Sequence, residues 1–113
     1  MKVLLDECVT KKLKGLLQDF DVYTVSEMGW RGAKNGRLLK LCVENNFDVL
    51  LTVDKNLMHQ QKLNDCLVTI AVLDSLTNRF EDLKLFIPSF CAQTNQFEKG
   101  RVYLIENNQL SIK

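Results

Sequence analysis

Two acidic positions close apolar runs in this chain: Asp6, followed at once by Glu7, ends Val3-Leu4-Leu5, and Asp54 ends Val49-Leu50-Leu51-Thr52-Val53. Unpaired carboxylates brought together repel, and a hard cation such as Mg²⁺ or Mn²⁺ relieves that repulsion. Such an ion keeps several waters and bridges to phosphate oxygens, so the chemistry expected of the pair is metal-assisted attack of water on a phosphodiester. Asp6 and Asp54 are the expected metal ligands, with Asn35 as a third, and Glu7, Glu27 and Asn56 are candidates to complete the catalytic set. Each has a structural alternative. Either aspartate alone suits a strand-end turn or a helix cap. Glu7 points to the opposite side from Asp6 on an extended chain, which suits a solvent or capping role as well as metal binding. Glu27 is expected on a loop able to fold over the site. Asn35 and Asn56 fit as helix caps or as amide-oxygen ligands.

The elements that must position these groups follow from the spacing of apolar residues. Val3 to Leu5 reads as a short buried strand, and Val9, Leu13, Leu16, Leu17 and Phe20 recur at helical spacing over about Thr10 to Phe20. Asp21 to Val25 is β-branched and aromatic enough for a second strand, followed by a glycine-containing loop from Glu27 to Gly32. A helix is expected from Asn35 to about Asn46, with Asn45-Asn46 as its stop. The almost continuously apolar run Phe47 to Val53 suits a central parallel strand covered on both faces. Asn56 to about Lys62 is expected to form a short helix, and Leu67 to Leu73 a fourth strand. Asn78 and Glu81 have capping-box spacing before a helix over Phe80 to Phe90 that Pro88 should kink or divide. Arg101 to Glu106 completes the strands, with Leu110 to Ile112 as a brief hairpin partner.

Strands alternating with helical segments imply a three-layer α/β/α sandwich around a mostly parallel sheet, expected in the order 2-1-3-4-5 with right-handed crossovers. In that order a crevice opens at the carboxyl ends of strands 1 and 3, beside Asp6 and Asp54.

Length and composition restrict the alternatives. At 113 residues, 46% hydrophobic and 26% charged, the chain suits one globular domain spanning 1–113, and a domain of this size needs no metal or disulfide to fold. The net charge of +1 neither supports nor excludes a nucleic-acid partner. Its distribution is uneven: residues 1–40 carry eight Lys and Arg against five acids, and the remainder seven against nine. Cys8, Cys42, Cys66 and Cys91 are too widely spaced for a zinc framework and read as reduced core thiols. With no signal-peptide pattern and no apolar stretch of membrane-spanning length, a cytoplasmic protein without a membrane partner is expected. Neither a phosphate-binding glycine loop nor a nucleophile elbow occurs.

Lys11, Arg31, Lys34 and Lys55, with Lys12, Lys14, Arg37 and Lys40, form either a phosphate-attracting rim or a solvated face; the first four are the substrate-binding candidates. Trp30 suits base stacking or a loop anchor packed on the domain. His59 has no acid or cysteine at short spacing and reads as a surface or accessory contact.

The segments Leu4-Leu5-Asp6-Glu7-Cys8-Val9, Glu27-Met28-Gly29-Trp30 and Leu50-Leu51-Thr52-Val53-Asp54-Lys55-Asn56-Leu57, with Gln60-Gln61 and Asn78-Arg79, resemble a PIN-like family of small bacterial proteins of uncharacterised function, related to VapC-like toxin ribonucleases. The resemblance covers nearly the whole chain. It implies a Mg²⁺- or Mn²⁺-dependent endoribonuclease, the toxin of a type II toxin–antitoxin pair, with RNA as substrate, a cognate antitoxin as partner and a homodimeric state. In that likeness Asp6 matches the acid after strand 1, Asp54 the acid of a T-x-D signature, and Asn56 a neighbouring Asp or Asn. Asn35 stands where the family pattern expects Asp, which removes a charge from the implied metal site. The segment that carries an additional helical acid in VapC-like toxins is much shorter, with Glu27 as its substitute, and Thr10 replaces an expected proline.

Two other readings compete. A catalytically weak or silent PIN-like module that binds RNA or protein is suggested by the neutral Asn35. A receiver-like phospho-acceptor is suggested by the spacing of Glu7 and Asp54, but strand 4 ends at Leu73-Asp74 without the hydroxyl residue such domains need, and the only proline follows Ile87.

Overall fold

Val3, Leu4 and Leu5 are all fully buried, as a strand covered on both faces requires, and they form β1 (Lys2–Leu5). The computed structural model describes residues 1–59 and 68–107, and for Asn35, Met58 and His59 the backbone alone. β1 is joined by β2 (Asp21–Thr24), β3 (Val49–Thr52), β4 (Thr69–Leu73) and β5 (Val102–Ile105) in a five-stranded sheet of order β2-β1-β3-β4-β5. Every neighbouring pair is parallel. This is the expected α/β sheet in the expected order. Leu5 sits level with both Thr24 and Leu51, so the ends of β1, β2 and β3 open on one edge.

Alternate residues of each strand feed two cores. Val3, Leu5, Val49, Leu51, Ala71, Leu73 and Ile105 pack with Leu13, Leu17, Leu83, Ile87 and Phe90 on one face. On the other, Leu4, Leu50, Ile70 and Val72 pack with Val25, Leu38, Leu39, Cys42 and Leu57. The result is three layers.

The helical segments are shorter than the apolar spacing predicts. The first is a 3₁₀ helix over Lys11–Leu16, where a helix reaching Phe20 is expected; Thr10 caps it through Lys12 N–H at 3.3 Å, Gly15 weakens it, and Leu17 closes it onto the Lys14 carbonyl. β2 stops one residue early because Thr24 caps α1 (Val25–Met28). Glu27, expected on a loop, is therefore helical.

α2 spans Asn35–Glu44, with Lys34 rather than Asn35 at its N-cap. Asn46 takes φ +63°, a left-handed conformation that asparagine tolerates, and Phe47 N–H bonds the Cys42 carbonyl at 2.9 Å, so the Asn45-Asn46 stop is as expected. After β3 a 3₁₀ turn covers Lys55–His59; the rest of the helix expected to Lys62, Gln60-Gln61, Cys66, the first residue of the expected fourth strand and the hairpin at Leu110 to Ile112 lie outside the described residues.

The Asn78/Glu81 capping box does not form. Arg79 is the N-cap of α3 (Phe80–Leu83) and makes no side-chain cap bond; Thr77 instead accepts Arg79 N–H and donates to Asp82. Pro88 divides the helical run as expected: a 3₁₀ turn at Lys84–Phe86 precedes α4 (Ile87–Gln93), whose first turn holds the proline where no N–H is needed. Among the described residues no helix is long and apolar enough to cross a membrane.

Candidate functional site

Asp6 leaves β1 with its backbone N–H still on the ladder, donating to the Leu51 carbonyl of β3 at 2.9 Å. Its half-buried side chain is held at both oxygens. Oδ1 accepts Glu7 N–H at 2.7 Å, and Oδ2 accepts the Thr52 hydroxyl at 2.7 Å. Thr52 is wholly buried at the end of β3, and its Oγ1 also accepts Asp54 N–H at 3.0 Å. One hydroxyl thus ties the two candidate acids together across the β1–β3 boundary.

Cys8 joins this knot, with Sγ 3.7 Å from Asp6 Oδ2 and 3.6 Å from Thr52 Oγ1. Burial raises its thiol pKa, and the Asp6 carboxylate raises it further, outweighing the opposing contacts to Val53 and Thr52. A thiol so placed stays protonated near neutrality and is a hydrogen-bond donor rather than a nucleophile.

Asp54, half-buried, accepts Asn56 N–H on Oδ1 at 2.9 Å and, through its carbonyl, Leu57 N–H at 3.1 Å. The turn-capping reading of Asp54 therefore holds: one carboxylate oxygen starts the 3₁₀ turn while the backbone is anchored to Thr52. Asn56 contributes its N–H and is otherwise exposed.

Glu7 is exposed, and its Oε1 accepts Gly32 N–H at 3.0 Å. It stands beside Asp6 but pins the loop between α1 and α2. Glu27 is committed elsewhere: it forms a capping box with Thr24 and an ion pair with Lys14 at 2.8 Å, and the Lys14 hydrogen bond is the main cause of its lowered carboxyl pKa. The structure ties it to its own helix rather than to the two aspartates. Asn35 opens α2 as its first residue, not as its cap.

A cleft of about 240 Å³ runs from Asp6 and Glu7 past Thr10 and Lys11 to Thr24, Val25 and Ser26. It extends toward β2, away from Asp54, so of the substrate-binding candidates Lys11 is the one that shares it with Asp6. Lys55 turns to β4, pairing with Asp74 at 3.3 Å and the Ser75 carbonyl at 3.1 Å. Arg31 and Lys34 line a separate recess with Trp30. Trp30 meets Phe47 edge to face at 5.9 Å, so the loop-anchor reading of this residue holds.

Among the described residues no three His, Cys, Asp or Glu side chains converge as a preformed metal centre. The donor types still fit Mg²⁺ or Mn²⁺: the Asp6 carboxylate, held by the Thr52 hydroxyl, and the Asp54 carboxylate, whose backbone N–H is bonded to the same hydroxyl, are hard oxygen donors, and Mg²⁺ is commonly held by one or two carboxylates with water completing its shell. Thr52 and Cys8 are not signalled as site residues by the sequence, where Thr52 enters only as the start of T-x-D and Cys8 as a core thiol. The signal available was a polar residue closing the apolar β3 two positions before an acid.

Comparison with known proteins gives no match to a family model, to a curated protein or to a solved structure.

Proposed function

We propose that the chain is a metal-dependent endoribonuclease of PIN-like type. The observation that supports it best is the Asp6–Thr52–Asp54 link: at the ends of neighbouring parallel strands one buried hydroxyl bonds the Asp6 carboxylate and the Asp54 backbone N–H, at the sheet edge where ligands of such folds bind. Asp6 and Asp54 would hold Mg²⁺ or Mn²⁺, which when bound polarises the phosphate and lowers the pKa of an attacking water. Thr52 fixes the direction of the Asp6 carboxylate, and Glu7 N–H holds its second oxygen. Lys11, exposed on the cleft that Asp6 lines, attracts the phosphate. Glu27 and Asn56 act on the fold, the first by capping α1 and the second by closing the Asp54 turn.

The test is cleavage of single-stranded RNA with Mn²⁺, Mg²⁺ or EDTA. Metal-dependent cleavage lost in both Asp6→Asn and Asp54→Asn supports the reading, and cleavage that survives both substitutions overturns it. By the family resemblance we extend the reading to a cytoplasmic toxin that forms a homodimer and is neutralised by an antitoxin; co-purification with the product of an adjacent small reading frame tests that extension.

A silent RNA-binding or protein-binding module is the second reading, favoured by the backbone amides that occupy Asp6 Oδ1 and Asp54 Oδ1. RNA binding that is indifferent to metal, without cleavage, would select it.

A further inference from the structure

The recess that Trp30 lines is separate from the cleft beside Asp6. It encloses about 440 Å³ between the Gly29–Lys34 loop and α2, and Arg31, Lys34 and Arg37 stand on its wall with no acid among the lining residues. All three cations are exposed, and among the described residues none of them has an ion-pair partner, whereas Lys14, Lys55, Arg79, Lys84 and Arg101 are each paired. Three cations outside any described ion pair around one concavity concentrate positive charge on a chain whose net charge is only +1.

The recess is joined to the acids through Glu7. Gly32, on its wall, donates to Glu7, and Glu7 N–H in turn donates to Asp6 Oδ1, so the loop carrying Arg31 is anchored one residue from Asp6. Trp30 adds an aromatic surface, fixed by its edge-to-face contact with Phe47. Unpaired cations beside a braced indole are what a single nucleic-acid strand needs, since phosphates take the cations and a base takes the ring.

We propose that this recess docks the backbone of single-stranded RNA, seating two or three phosphates on Arg31, Lys34 and Arg37 with a base against Trp30, and so feeds the strand toward Asp6. The choice of RNA rests on the endoribonuclease reading; the docking itself needs neither metal nor cleavage. Each phosphate neutralised on a single strand contributes about −0.7 to the slope of log affinity against log salt, so three give about −2.

The experiment is fluorescence anisotropy of a labelled 12-nucleotide oligouridylate in EDTA across a salt series, with the emission of Trp30, the single tryptophan of the chain, followed in parallel. Wild type is expected to bind with a slope near −2 and with a change in Trp30 emission at saturation. Arg31→Gln with Arg37→Gln should flatten the slope from about −2 to about −0.7. The paired cations of the opposite layer supply the control, and Arg79→Gln with Lys84→Gln should leave the slope unchanged. Circular dichroism verifies the fold of each variant. No binding by wild type, a slope indifferent to Arg31 and Arg37, an equal loss in the control pair, or Trp30 emission that stays constant at saturation would each overturn the proposal. Binding that behaves as described without Mn²⁺-dependent cleavage would overturn the nuclease reading alone, and cleavage with an unaltered slope would overturn the recess alone.

Discussion

Thr52 donates its hydroxyl hydrogen to Asp6 across the β1–β3 boundary at 2.7 Å, and the same oxygen accepts Asp54 N–H at 3.0 Å. Replacing that hydroxyl by an isosteric methyl keeps the packing and removes both bonds. Thr52→Val should cost about 1–3 kcal/mol, because the Asp54 amide and Asp6 Oδ2 lose a buried partner, and urea denaturation will measure it. Cleavage should fall more steeply than stability, since Asp6 is then held only by Glu7 N–H and the weak Cys8 thiol contact; equal activity in a folded Thr52→Val protein would detach the hydroxyl from the chemistry.

Metal binding has its own readout, free of any assay for cleavage. An ion held by Asp6 and Asp54 in the folded state alone stabilises that state by mass action, by about 1.4 kcal/mol at ten times its Kd. For a domain of this size the increment raises Tm by roughly 4–8 °C. Mn²⁺ should therefore shift the melting of wild type and leave Asp6→Asn unshifted.

The raised pKa of Cys8 makes a kinetic prediction. Burial and the neighbouring Asp6 carboxylate keep the thiol protonated, so alkylation by iodoacetamide, followed at the Cys8 peptide by mass spectrometry, should be slow at pH 7 and rise through pH 9 and above. Cys8→Ala should retain cleavage within about tenfold, because a neutral thiol near Asp6 Oδ2 supplies one weak hydrogen bond and no nucleophile.

Lys14 and Glu27 join the 3₁₀ segment after β1 to α1, and their pair is exposed enough for salt to weaken it. Glu27 has a lowered pKa in the folded protein, first through its hydrogen bond to Lys14 and then through Thr24 N–H. A depressed carboxyl contributes stability that is present above its unfolded pKa and disappears as pH falls through the folded value. Chemical denaturation between pH 6 and pH 3 should show that loss in wild type and a smaller one in Glu27→Gln. Thr24→Ala, which removes the cap itself, should cost about 1 kcal/mol at neutral pH.

The sheet is legible because its signals are redundant. Val3 to Leu5 and Val49 to Leu51 are apolar without alternation, which a strand buried on both faces demands, and Asp6 and Asp54 mark where each run must surface. The helices are less so. Val9, Leu13 and Leu17 keep a buried stripe, but periodicity reports the face that is buried and not the hydrogen-bond pitch, so a 3₁₀ turn and an α-helix look alike over one or two turns. Glu27 and the pair Asn78/Glu81 show the same limit for caps: Thr24-x-x-Glu27 forms a capping box unannounced by the loop expected there, while Asn78-x-x-Glu81 has the spacing and Thr77 takes over the turn through Arg79 and Asp82. Thr52 and Cys8 stay hidden because their role comes from strand register, which places residues 44 and 46 positions apart against each other.

Gly32 links the basic recess to Glu7, and its backbone carries the last prediction. It takes φ +82°, a left-handed conformation, and a Cβ added there would meet no atom within 4 Å, so any cost of Gly32→Ala is conformational and not steric crowding. That cost is about 1–2 kcal/mol if the loop keeps its path. The loop has the alternative of relaxing to negative φ, which turns Gly32 N–H away from Glu7. Hydrogen exchange separates the two: a retained loop leaves the residue 32 amide protected and lowers global stability, whereas a relaxed loop exposes that amide at nearly unchanged stability. Glu7→Gln keeps an acceptor and should preserve protection, and Glu7→Ala should abolish it, so the relaxed form of Gly32→Ala and Glu7→Ala should give the same exchange at residue 32.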